Sequence, residues 1–173
     1  MVIQHPDATT LLTFERDARR HGTNLTTADL QGCWMLQGVW NKGRLRPAWL
    51  SAWSLRGCRA RLVLRELTTK QLAISNAVNV GPFQLRFEGL ANLQGSRPLL
   101  QFSFNRVVLL VGRQRWIDRP LPAPAPAPSR LPFFALIHRD PTGWLAARGR
   151  GGGLAFWTLH AEGEETPPTD QFN

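Results

Sequence analysis

The spacing of apolar positions changes once along the chain. Residues 8–20, Ala-Thr-Thr-Leu-Leu-Thr-Phe-Glu-Arg-Asp-Ala-Arg-Arg, put Leu11, Phe14 and Ala18 at helical spacing. This predicts a short amphipathic helix capped by Thr9 or Thr10 and ended by His21-Gly22. From Gly32 onward the period is two. Trp34, Leu36 and Trp40 alternate along one segment, and Leu72, Ile74 and Val78 along another. In Phe83-Gln-Leu85-Arg-Phe87-Glu-Gly89-Leu-Ala91-Asn-Leu93 the odd positions are apolar or small, and Leu100, Phe102 and Phe104 repeat the pattern. Such alternation gives each strand one dry and one wet face, as in an antiparallel sheet.

Turn chemistry divides the strands. Asn79-Val80-Gly81-Pro82 and Gln94-Gly95-Ser96-Arg97 connect apolar runs, and Asp140-Pro141-Thr142-Gly143 suits a type I turn. Strands are expected near 33–40, 60–67, 71–79, 83–93, 99–111, 132–138, 144–148 and 154–160. Eight is the strand number at which a closed barrel holds its own side chains or one small ligand. Residues 48–56, with Trp49 and Trp53, read as a short helix across one mouth. The organisation expected is an N-terminal helical segment (1–30), a β-barrel domain (31–160) with a Pro-rich loop (120–132), and a flexible acidic tail (161–173).

Length and composition fit one globular domain: 173 residues, 43% of them hydrophobic. Cys33 and Cys58 are too few for a disulfide framework and suggest a reducing compartment. The first residues lack the pattern of a signal or transit peptide, and no apolar run is long enough to span a membrane, so a cytoplasmic protein is expected. The net charge is +9. Between Leu30 and His160, sixteen Arg and two Lys face only Glu66, Glu88, Asp118 and Asp140. Such a body is drawn to anionic headgroups, nucleic acid or an acidic protein. Nineteen Arg against two Lys is equally what a GC-rich genome would give.

Chemistry-bearing motifs are sparse. There is no Gly-x-Ser-x-Gly elbow, phosphate loop or His-Glu-x-x-His. His138 and Asp140 stand two apart but lack a third metal ligand, and no two carboxylates of the barrel region are close in sequence. Catalysis, a metal site and a cofactor are therefore not expected. Gly149–Gly153 precedes a strand, which favours a hairpin turn over a phosphate cradle. Arg beside aromatic residues, as in Arg86-Phe87, suits a nucleic-acid platform only if the rings share the wet face. By parity Phe83, Phe87, Phe102 and Phe104 lie on the dry one, so nucleic acid is disfavoured. Parity does not separate a packed barrel from one enclosing a flat or long apolar ligand.

The order of motifs resembles a known family. Gly32-Cys33-Trp34-Met35-Leu36 after an N-terminal helix is similar to the Gly-x-Trp-x-Leu opening of the plastid lipid-associated proteins, the fibrillins or plastoglobulins. Leu72-Ala-Ile74-Ser75-Asn76, followed by Phe83-Gln-Leu85 and Gly89-Leu-Ala91, resembles that family's middle strand and hairpin. Arg119-Pro120-Leu121-Pro122, Gly143-Trp144-Leu145, Arg148-Gly149, Gly152 and Leu154–Leu159 resemble its closing motifs. The likeness runs from about residue 10 to 160. The family's acidic stretch between Gly-Trp-Leu and Arg-Gly is absent, with only Ala146-Ala147 intervening, and the Ala-Pro tract looks inserted. The resemblance implies a lipocalin-like antiparallel β-barrel of chloroplasts or cyanobacteria, peripheral to thylakoids or lipid globules; the absence of a transit-peptide pattern favours the cyanobacterial branch.

The resemblance further implies non-catalytic binding or carriage of a lipophile (a carotenoid, quinone or acyl lipid) at a photosynthetic membrane, supporting membrane or photosystem protection, and this is the function expected. Trp34, Leu36, Phe83, Leu85, Phe87, Phe102 and Phe104 would line the cavity, and Arg148 would meet a polar ligand end or a headgroup. Peripheral contact with anionic lipid is expected from the charge. The alternative is a basic adaptor for nucleic-acid backbone or an acidic protein. A third reading, a lyase or isomerase using Cys33 or Cys58, is weakened because Cys33 points away from Trp34 by parity.

Overall fold

The computed structural model describes residues 6–40, 60–122 and 131–160. The expected helix at 48–56, Cys58, most of the Ala-Pro tract and the acidic tail lie outside them. The described chain carries helices α1 (Ala8–His21) and α2 (Thr27–Leu30), then strands β1 (Gly32–Trp40), β2 (Arg61–Thr68), β3 (Gln71–Val80), β4 (Phe83–Gln94), β5 (Leu99–Val111), β6 (Gln114–Pro120), β7 (Phe133–Asp140), β8 (Trp144–Gly149) and β9 (Leu154–His160).

Eight strands close into an antiparallel ring in the order β1-β2-β3-β4-β5-β7-β8-β9, with β9 returning to β1. The ninth, β6, stands outside the ring as the second arm of a hairpin with β5. The mainly β barrel with a short N-terminal helix is thus the architecture the alternation implied. The additional strand is a correction: every residue of β6 is exposed, so it has no dry face to produce alternation.

β5 explains how one strand serves three partners. It pairs with β4 along its whole length, with β7 only at Leu99, Leu100 and Gln101, and with β6 from Arg106 to Val111. At Gly89 the β4–β5 register shifts. A Cβ there would run into the Ser103 carbonyl oxygen and lie 2.8 Å from Phe104 Cα, so only glycine permits this approach.

Two apolar layers form. Inside the ring, Trp34, Leu64, Leu72, Ala91, Leu100, Leu136, Leu145 and Trp157 pack together. Outside it, α1 lays Leu11 and Phe14 over Ile137, Trp144, Ala146, Leu154 and Phe156, so β7–β9 are covered on both faces. The helix is capped by Asp7, whose carboxylate accepts from Thr10 N–H at 2.7 Å, rather than by Thr9 or Thr10. At Gly22, φ is 73° and the N–H donates to Ala18 O, ending the helix as expected.

The two ends of the barrel differ. One is closed by α2, held by a capping box between Thr26 and Asp29 and by Thr27 Oγ1 donating to Glu66 Oε1 at 2.6 Å. Beneath it Trp34 Nε1 donates to Leu30 O at 2.8 Å. The other end is where β1 and β3 finish, β2 and β4 begin, and β8 turns into β9.

Candidate functional site

A cavity of about 470 Å³ opens at that second end, a size within the roughly 300–1,000 Å³ usual for small-molecule sites. Strand parity builds its wall. Leu36 of β1, Leu62 of β2, Ile74 and Val78 of β3, Phe102 and Phe104 of β5, Phe134 of β7, and Ala155 and Trp157 of β9 line it. Gly149, Gly151 and Gly153 of the β8–β9 turn add backbone without side chains.

Aromatic rings run along one side as a connected series. Phe87 lies 5.6 Å from Phe104, Phe104 5.4 Å from Phe102, and Phe102 5.1 Å from Phe134, measured between ring centroids. Trp157 completes it edge-on to Phe134 at 5.3 Å. Tilted and edge arrangements of this kind are the favourable ones for aromatic pairs. They hold the wall in shape without filling the space it encloses.

Asn76 is the polar residue of this lining that shares the inward parity of Ile74 and Val78. Its amide makes no hydrogen bond among the described residues. A half-buried amide in an apolar wall is a directional donor and acceptor for a ligand's polar end.

The sequence-predicted residues separate into three groups. Leu36, Phe102 and Phe104 lie in the cavity wall. Trp34 faces inward but is fully buried at the closed end, where it packs against Leu30 as part of the core, so it is corrected from ligand wall to plug. Phe83 and Leu85 have the inward parity but are 48% and 38% exposed, because β4 runs past the ring. Phe87 has the inward parity and packs beside Phe104 but is not itself in the lining.

Arg148 is a further correction. Ala147 faces the interior, so its neighbour Arg148 faces outward under α1. There its Nε donates to Glu15 Oε1 at 2.6 Å, its Nη2 to Glu15 Oε2, and its Nη1 to Gly152 O at 2.6 Å. Burial pushes the Glu15 carboxyl up, but the hydrogen bonds from Arg148 and Arg19 more than offset that and hold it below the usual glutamate range. Arg148 is a clamp between helix and barrel.

Phe134, Trp157, Val78 and Asn76 were missed. The parity that marked Ile74 already placed Asn76 and Val78 on the same face. Phe134 and Trp157 sit in apolar runs covered on both sides, where alternation disappears. Of the other expectations, Gly149–Gly153 is a hairpin turn closed by Gly149 N–H to Gly153 O at 2.8 Å. His138 Nε2 lies 3.6 Å from Asp140 Oδ2, and among the described residues no group of three His, Cys, Asp or Glu could hold a metal ion. A smaller cleft of about 270 Å³ between α1 and β7 is lined by Asp17, His21, His138 and Arg139.

Among the described residues no helix is long and apolar enough to cross a membrane. In comparison with known proteins, no family model matches the chain and no curated protein matches it.

Proposed function

We propose that the barrel binds and carries a lipophilic small molecule in this cavity without transforming it. The observation that carries the reading is a cavity of about 470 Å³, open at one end, whose wall is aliphatic and aromatic apart from the Asn76 amide and the Arg61 side chain. Apolar lining supplies affinity for hydrocarbon by removing it from water, and one amide suffices to orient a carbonyl, hydroxyl or carboxyl end. The resemblance to fibrillins narrows the proposed cargo to a carotenoid, quinone or acyl lipid and the proposed setting to a photosynthetic membrane.

The test is mass spectrometry of an organic extract of protein purified from a photosynthetic host, beside a matched control protein. A lipophile at near one equivalent supports carriage and identifies the cargo. An extract no richer than the control, with no uptake of a fluorescent polyene fatty acid from solution, overturns it. The arginine surface then becomes the place to seek a polyanionic partner, whose binding should fall steeply with salt.

A further inference from the structure

The cavity wall does not stop at the mouth. Cross-strand register carries it outward as one apolar sheet face: Val78, which lines the cavity, pairs with Leu85, Leu85 with Leu109, and Leu109 with Ile117. One row further out, Val80 pairs with Phe83 and Phe83 with Val111. The two hairpin tips that carry these rows are tied together, since Gly112 N–H donates to Pro82 O at 2.7 Å. The result is a stiff lip beyond the ring. Phe83, Leu85 and Ile117 are exposed on it, with Trp116 at the register shift of β6 65% exposed.

The charge on this lip is one-sided. Its strands and the β5–β6 turn carry Arg86, Arg106, Arg113, Arg115 and Arg119 against Glu88 and Asp118. Arg106 and Arg115 both hold Asp118, at 2.6 and 2.7 Å, and Arg86 holds Glu88 at 2.8 Å. The hydrogen bond from Arg106 pulls the Asp118 carboxyl down to about 2, so Asp118 stays ionised through any physiological pH. Arg113 and Arg119 are exposed and make no ion pair among the described residues. An apolar face with an exposed Trp at its edge and a surplus of arginines matches the boundary between acyl chains and anionic headgroups.

We infer that this lip is the docking face for an anionic lipid bilayer, seating the open mouth of the barrel against the membrane. Phe83, Leu85, Trp116 and Ile117 enter the acyl boundary, and Arg113 and Arg119 meet the headgroup phosphates. The row from Ile117 to Val78 then gives an apolar ligand a path from bilayer to cavity that never crosses water. That last role rests on the cavity reading; the docking itself does not.

The experiment is flotation of the full chain with vesicles of phosphatidylcholine, with and without phosphatidylglycerol. Wild type is compared with Phe83→Ser/Trp116→Ser and with Leu67→Ser, which removes an exposed leucine at the closed end. Thermal midpoints confirm folding, and uptake of a fluorescent polyene fatty acid from vesicle-free solution reports the cavity separately. Wild type and Leu67→Ser should float with the anionic vesicles, and the lip variant should bind at least about tenfold more weakly. Continued uptake of the free fatty acid by that variant supports docking through the lip. A lip variant that floats like wild type overturns the inference. So does a wild type that ignores vesicles but forms a dimer the lip variant lacks, which assigns the face to a second copy of the chain. Lip-dependent flotation with no fatty-acid uptake by wild type leaves docking supported and defeats only the cavity reading.

Discussion

Arg148 and Glu15 stand 133 positions apart in the chain and meet in a two-pronged ion pair that fixes α1 to the β8–β9 turn. The Glu15 side chain is almost wholly buried, and Arg19 and Arg97 also approach its Oε1, at 2.8 and 3.6 Å. The helix therefore does more than cover apolar surface: its single buried carboxylate gathers three arginines from three parts of the chain.

Glu15→Ala should cost about 3–5 kcal/mol, because it leaves Arg148 enclosed without its partner. Replacing the pair together, Glu15→Leu with Arg148→Met, should recover most of that loss, since the charges and their dehydration go together. Denaturant unfolding of Glu15→Leu, Arg148→Met and the double variant measures the coupling.

The same pair sets an acid limit. The folded carboxyl titrates below its unfolded value, so its stabilisation is fully present at neutral pH and is lost as pH falls below about 4. Thermal midpoints of wild type and Glu15→Gln should differ at pH 7 and converge on acidification. A gap that stays constant with pH would show that Glu15 is not ionised in the folded state.

Filling the cavity should separate binding from folding. Leu36→Trp projects an indole into the open volume, and should weaken uptake of a fluorescent fatty acid at least about tenfold while leaving stability within about 1 kcal/mol. Asn76→Leu should weaken ligands with a carboxyl or carbonyl end by about tenfold and leave pure hydrocarbons unaffected. Equal losses for both classes would remove Asn76 from any orienting role.

Gly89→Ala should destabilise the protein by about 2–3 kcal/mol, because the new methyl collides with β5 backbone and not with a flexible side chain. Gly81→Ala serves as the comparison, since open space surrounds that position and only its positive φ opposes the change. Urea unfolding of both variants gives the ranking.

Much of the barrel was legible because its wet strands advertise themselves. β4 alternates apolar or small residues with mostly polar ones, and its outer face is exposed at Leu90, Asn92 and Gln94, so Phe83, Leu85, Phe87 and Ala91 could be assigned to one side from sequence alone. Parity, however, fixes a side and says nothing about height along the barrel. That is why Trp34 at the plug, Phe104 in the wall and Phe83 on the lip looked equivalent. Where α1 covers β7–β9, apolar residues occupy both faces and parity fails, which hid Phe134 and Trp157 and left Arg148 without a side. β6 failed in the opposite way: with both faces exposed, Gln114–Pro120 had no pattern to read. The cavity's volume was illegible for a simpler reason, being set by how far opposite walls stand apart.

The short meeting of β5 with β7 also bears on how the chain reaches and leaves its closed form. β2 to β6 follow one another through tight turns, so their pairing needs only local loop closure and is fast. Closing the ring is different in kind, because β1 must find β9, as in the Gln37–Thr158 contact across 121 positions, while β7 must take hold of just Leu99, Leu100 and Gln101. Closure is thus expected to come late, secured on one side by a brief zipper. Amide hydrogens along that zipper should exchange with solvent sooner than those shared by β4 and β5, marking the line along which the barrel breathes.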